Sequence, residues 1–353
     1  MTIAKVRFFK YFALFTLLTG LIVGCAPSNQ AITYKTEFEG TSVNGAHARA
    51  LFVGDLYIIA AGQKGNIGVH ILDTTFNRPH IQDSIPDVED FRDVRLNADG
   101  NCILMNSGKN GIIYGISRGS FRRVLYDTAG VFLDGMSFWN DRNGIVFGDP
   151  INGKFFLAKT ITSGATWEPI TPISMPDALE NEAGFAASGT SIQTIGDSTV
   201  YFGTGMGDKA RLFCSNDQGE NWIVKNTAMR AGDSYGIYAM YFWSKNEGII
   251  VGGSYKDSTY KKDICQYTNN GGDSWQVRTN GLLGYCSSIH GTANGDFIVT
   301  TGRMGTFYTT NQGQTWDVLV DRSYYSCFVT EERVALLGRS GTMEILNYTL
   351  LKK

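Results

Sequence analysis

The chain has 353 residues, 43% of them hydrophobic and 18% charged, with 42 Gly, 7 Pro and a formal net charge of −2. That is enough apolar material for a full core, and Gly in large excess over Pro points to many tight turns rather than to disorder. The near-neutral balance gives nucleic acid no general electrostatic attraction, so no nucleic-acid partner is expected and any electrostatic function has to be local.

The first segment reads as a leader. Lys5, Arg7 and Lys10 precede an apolar run over 12–23, too short to cross a bilayer as a helix and of the length of a signal-peptide core. It ends in Ile22-Val23-Gly24-Cys25, which resembles a bacterial lipobox. The resemblance implies removal of 1–24, lipid on the Cys25 thiol and a short tether over 25–31. Ala26 after the cysteine, by resemblance to enterobacterial sorting, places the chain in the cell envelope at the outer membrane, facing the periplasm.

Residues 32–353 are expected to form one all-β domain. Short apolar or alternating runs recur, broken by Gly, Asn and Asp, with no helical periodicity. LYIIAAG, NCILMNSG, GIVFG, TVYFG, GIIVGG, DFIVTTG and RVALLG each end in Gly, at 62, 108, 148, 203, 252, 302 and 338, which gives seven units of about 46 residues. Before each lies an inner run (ARALFV, FRDVRL, DGMSFW, FAASGTSI, YAMYFW, CSSIHGT, CFVTE). After each comes a third run such as GIIYGIS or KFFLAKT, and then a fourth such as EPIT, IVKN, QVRT or DVLV. Four strands repeated seven times predict a seven-bladed β-propeller. The last unit has only three runs, so residues 32–38 are expected to supply its fourth strand and close the ring.

Four octapeptides punctuate these units: TITSGATW at 160–167, SNDQGENW at 215–222, TNNGGDSW at 268–275 and TTNQGQTW at 309–316. In the second, the Asp217 carboxylate can accept backbone N–H groups, Gly219 can take the positive φ that closes a turn, and Trp222 can pin the turn on a strand. Asn270 and Asn311 can replace the Asp, Thr162 more weakly, and Trp167, Trp275 and Trp316 end the other copies. The series resembles the Asp-box (BNR) repeat, a structural turn. With FWNDRNGIVFGDP, GFAASGTS and Phe91-Arg92-Asp93, the chain is similar along its mature length to the seven-bladed propellers related to photosystem II assembly factors, found also in non-photosynthetic bacteria. The resemblance implies a non-catalytic assembly role and a basic surface patch; no residue here is specific to photosynthesis.

Such repeats also occur in sialidases, so a glycoside hydrolase is the alternative. It would need an arginine cluster, for which Arg49, Arg92 and Arg211 are candidates, an acid among positions 93, 134, 149 and 182, and a tyrosine such as Tyr235 or Tyr285. His47-Ala48-Arg49-Ala50-Leu51 departs from the Arg-Ile-Pro motif expected near the start. Gly203-Thr204-Gly205-Met206-Gly207-Asp208 lacks the third glycine and the helix of a dinucleotide loop, and the histidines at 47, 70, 80 and 290 have no metal-ligand spacing, so no cofactor and no metal are expected. Cys102, Cys214, Cys265, Cys286 and Cys327 are expected as buried thiols, with Cys286 and Cys327 the pair to check for a disulfide.

In a propeller the loops between second and third strands and between blades gather opposite the octapeptides. Lys64, Lys109, Lys154, Lys209, Arg211, Lys256, Lys261, Lys262, Arg303 and Arg339 fall in or beside those loops. Arg49, Arg92, Asp93 and Asp134 start inner strands, and Asp149 lies near the same mouth. The candidate binding set is therefore Arg49, Arg92, Asp93, Asp134, Asp149, Arg211, Lys262, Arg303 and Arg339. The long connection 172–184, acidic through Asp177, Glu180 and Glu182, is expected as a solvated loop, with a lid as the other reading. The expected whole is a monomeric, membrane-tethered module binding an unidentified protein or anionic ligand.

Overall fold

The computed structural model describes residues 28–43, 45–72, 80–86, 88–117, 120–126 and 130–351; the leader 1–24 and Cys25 lie outside the described residues. Seven four-stranded antiparallel sheets, in chain order, form the blades of a β-propeller. Their inner strands are Ala48–Val53, Phe91–Leu96, Leu133–Phe138, Ile192–Ile195, Tyr235–Phe242, Cys286–Gly291 and Ser326–Val329. Second strands such as Thr199–Gly203 and Gly248–Ser254 are buried throughout, because each is covered on both faces by neighbouring blades, which is why they read as unbroken apolar runs. Aromatic stacking fills these interfaces: Phe202 lies between Phe147 and Phe213, both with ring centroids 4.6 Å away, and Trp222 packs on it at 5.0 Å.

The last blade is completed by the strand Ile32–Thr41, paired antiparallel with Thr342–Leu350 from Ile32 opposite Leu350 to Thr41 opposite Thr342. The expected closure is found, three residues longer than expected, and it removes the open edges that an unclosed ring would expose.

The octapeptide turns bond to themselves. The Ser215 hydroxyl accepts the Gly219 N–H at 2.8 Å and donates to Asp217 Oδ1 at 2.8 Å, which also accepts the Asn221 N–H at 2.9 Å. Slight burial opposes the Asp217 charge, but these bonds outweigh it and hold its pKa below the usual carboxylate range. Positive φ falls on two successive residues, 57° at Gln218 and 84° at Gly219, and likewise at Gln312 and Gly313, where the sequence argument assigned it to glycine alone. Trp222, Trp167 and Trp316 are buried, and Trp275 is half-buried. Bases of the preceding blade tie onto three of the turns: Lys159 onto Glu220 at 2.6 Å, Lys225 onto the Gly271 carbonyl at 2.8 Å and Arg278 onto the Gln312 carbonyl at 2.6 Å.

One expectation changes. The FAASGTSI run is not an inner strand: blade 4 pairs only over Ile192–Ile195, and the residues before it leave the sheet for the ring axis. The five described cysteines are free and buried, as expected, and Cys286 and Cys327, the pair to check, form no disulfide.

Candidate binding mouth and central plug

Arg49 and Arg92 begin the inner strands of blades 1 and 2, and Arg303 sits in the two-residue turn between the second and third strands of blade 6. The ring brings the three together around a hollow of about 290 Å³, walled by Tyr238, Tyr255, Tyr285, Tyr324 and Tyr325. The Arg49 guanidinium lies over the Tyr325 ring, 4.2 Å from its centroid. Asp90 joins the first two arginines, accepting from Arg92 Nε at 2.8 Å and lying 3.7 Å from Arg49 Nη1. Burial and the neighbouring Arg92 charge lower the Arg49 pKa, while burial raises that of Asp90 against the pull of both arginines. Arg303 is exposed and has no ion-pair partner among the described residues. With one carboxylate against three guanidiniums, the mouth keeps a positive balance.

Its floor is the segment 184–190. The Arg92 guanidinium donates to the Ala186 carbonyl at 2.5 Å, Ser188 to the Ser287 carbonyl at 2.8 Å, and the Met240 N–H to the Thr190 carbonyl at 2.8 Å, while the Gly184 N–H reaches Asp149 at 3.0 Å. Blades 2, 3, 5 and 6 thus hold one strip of backbone across the axis. Gly189 is required there: its φ is +76°, and a Cβ would stand 2.6 Å from Asp93 Oδ1.

The strip is preceded by the long connection, which is neither a loose loop nor a lid. Glu182 is buried and accepts from Arg211 Nε at 2.8 Å, from Arg211 Nη2, from Thr204 at 2.5 Å and from the Leu179 N–H at 2.8 Å. Arg211 also donates to the Asp177 carbonyl at 2.8 Å. A buried carboxylate demands a counter-charge, and the planar fork of Arg211 meets it, so this base is turned inward and does not line the mouth.

The other expected residues scatter. Asp93 lies beneath the strip, in a separate hollow toward the octapeptide face, where burial pushes its pKa up to about 7. Asp134 is fully buried beside Asp149; burial first, then the Asp149 charge, push its pKa well above the carboxylate range, which favours the protonated form. Asp149 is likewise raised by burial and engaged by Gly184. Lys262 is exposed away from the lining of the mouth, and Arg339 is exposed in an adjoining hollow shared with Arg303 and Arg322. Sequence reasoning missed Asp90 and, apart from Tyr285, the tyrosines. The rule that placed Arg49 and Arg92, that residues opening inner strands face the mouth, also picks out Tyr324-Tyr325 just before Ser326–Val329.

Fold and site define a class: a seven-bladed β-propeller whose axial hole is floored by its own backbone and whose mouth presents arginine and tyrosine. Compared with known proteins, the chain matches no family model and no curated relative.

Proposed function

We propose that the chain is a non-catalytic binding module, related to the photosystem II assembly-factor-like propellers with Asp-box repeats, that captures an acidic surface of a partner protein at the mouth. One observation carries this reading: three guanidiniums converge in a tyrosine-walled hollow against a single carboxylate, Asp90, which is buried and already engaged by Arg92 and Arg49. Arginine on aromatic walls recognises carboxylates through paired N–H donors. A sialidase-like hydrolase is less well supported, since it would need a free acid in the same hollow, whereas Asp90 is tied to Arg92 and Arg49, and Asp93 and Asp134 lie below or behind the floor.

The reading includes a lipid on Cys25. Asn29 is clamped on the octapeptide of blade 6, donating to the Thr315 carbonyl at 3.1 Å and accepting the Thr310 N–H at 2.9 Å. A lipid on Cys25 would then be four residues from a fixed point, roughly 13 Å of extended chain, which favours an octapeptide face near the membrane and a mouth turned away from it. Among the described residues no helix is long and apolar enough to cross a membrane.

The test is recovery of partners from membranes by the full-length chain. Arg303→Glu should reduce recovery, and salt should do the same, since the screening length falls from about 10 Å at 0.1 M to about 3 Å at 1 M. Recovery indifferent to both would remove the proposal.

A further inference from the structure

Beneath the plug, the box-side ends of the inner strands enclose a second hollow of about 180 Å³. Its walls are aromatic, from Phe52, Phe138, Tyr241 and Phe328, and the volume is close to the ~150 Å³ that accepts a benzene ring in a protein interior. Two hydrogen-bond donors are left over inside it. Arg95 lies between Phe52 and Phe138, 5.7 and 5.9 Å from their centroids; its buried Nε has no hydrogen-bond partner, and its only ion pair among the described residues, with Asp141, is long at 3.8 Å. His290 stacks on Phe328 at 4.0 Å and accepts the Val329 N–H on Nδ1 at 3.1 Å. Burial lowers its pKa to about 4, so the ring is neutral and carries its proton on Nε2.

The remaining polar groups of the lining are occupied. Gln193 is bonded through both amide atoms to the Phe242 backbone, Ser137 to Thr194, and Asp93 accepts the Val94 and Met136 N–H groups at 2.8 and 2.9 Å. Both Asp93 oxygens are taken by backbone groups, so the hollow lacks a free acceptor for these donors, and its aromatic walls suit one with a flat apolar body. A buried guanidinium nitrogen without an acceptor is destabilising, and a bound carboxylate supplies one.

We propose that this hollow is a second binding site, separate from the mouth, for a small aryl carboxylate, with the ring between Phe52, Phe138 and Phe328 and the carboxylate on Arg95 and the His290 Nε2–H. A single guanidinium with one neutral donor suits a singly charged anion better than a phosphate.

Benzoate is the probe, titrated into the full-length chain by calorimetry and followed by NMR of the Arg95 Nε–H and His290 ring signals. Saturable binding that shifts both signals is expected, with the neutral isostere benzamide at least about tenfold weaker and Arg95→Gln weakening benzoate by a similar factor. The shifts in the unmodified chain locate the ligand even if Arg95→Gln folds poorly. No saturable binding, equal binding of benzamide, or benzoate binding that survives Arg95→Gln and is lost in Arg303→Gln would overturn the site.

Discussion

The octapeptide turns close largely on their own residues, with single ties from the preceding blade, whereas the floor of the mouth is strung between blades. On the octapeptide face, Ser215 meets Gly219, Asp217 meets Asn221 and the Trp222 indole meets the Gly219 carbonyl, all within four residues of chain. On the mouth face, Arg211 meets Glu182 across 29 residues, Arg92 meets Ala186 across 94 and Ser188 meets Ser287 across 99. A turn satisfied by its own residues fails locally when one bond is removed. A floor strung between four blades has no local substitute, so damage there should spread to the site it supports.

Breaking the long-range side should have the most widespread effect. Arg211→Ala leaves the Glu182 carboxylate buried without its counter-charge, a loss of about 3–5 kcal/mol. Denaturation and hydrogen exchange should show it, with protection falling over 172–190; unchanged exchange there would mean that the pair does not hold the connection. On the short-range side, Trp222→Ala empties a buried indole site and should also cost about 3–5 kcal/mol, but with exchange changes confined to the packing between blades 3 and 4 around Phe202. Asp217→Ala should cost less, about 1–2 kcal/mol, since it leaves turn N–H groups unsatisfied at an exposed position.

A pH series sharpens the contrast at the floor. The Asp93 pKa is pushed up to about 7 in the folded chain against 3.8 when unfolded, so between those values the folded state holds the extra proton. Its contribution to stability is therefore fully present below about pH 4 and is lost as pH rises through 7. Asp93→Asn should flatten that part of the profile, whereas Asp217→Ala should not; parallel profiles for the normal chain and Asp93→Asn would contradict this placement.

These ranges also separate what the sequence could disclose from what it could not. Strand periodicity, the recurring Gly and the four Trp-ended turns are local patterns, and the blades and the closing strand follow from them. The floor was misread because Phe185 to Ile192 is apolar enough for an inner strand, and only the neighbouring blades, through Arg92, Ser287 and Met240, show where it goes. Arg211 was placed at the mouth for a related reason: its charge is visible in the sequence, but its partner Glu182 belongs to another segment. Asp134 and Asp149 were counted with the mouth, although burial keeps them from acting as exposed charges. Arg49, Arg92 and Arg303 could be grouped in advance because strand starts and turns have fixed positions in a propeller.

The central claim is that binding belongs to the mouth while the octapeptide turns serve the fold. Partner recovery by the full-length chain, compared between Arg303→Glu and Asp217→Ala, tests it most directly. Arg303→Glu should lose recovery with an unchanged denaturation midpoint, because the residue is exposed and unpaired among the described residues. Asp217→Ala should keep recovery with a lowered midpoint. Recovery lost in Asp217→Ala at an unchanged midpoint, and retained in Arg303→Glu, would contradict the account.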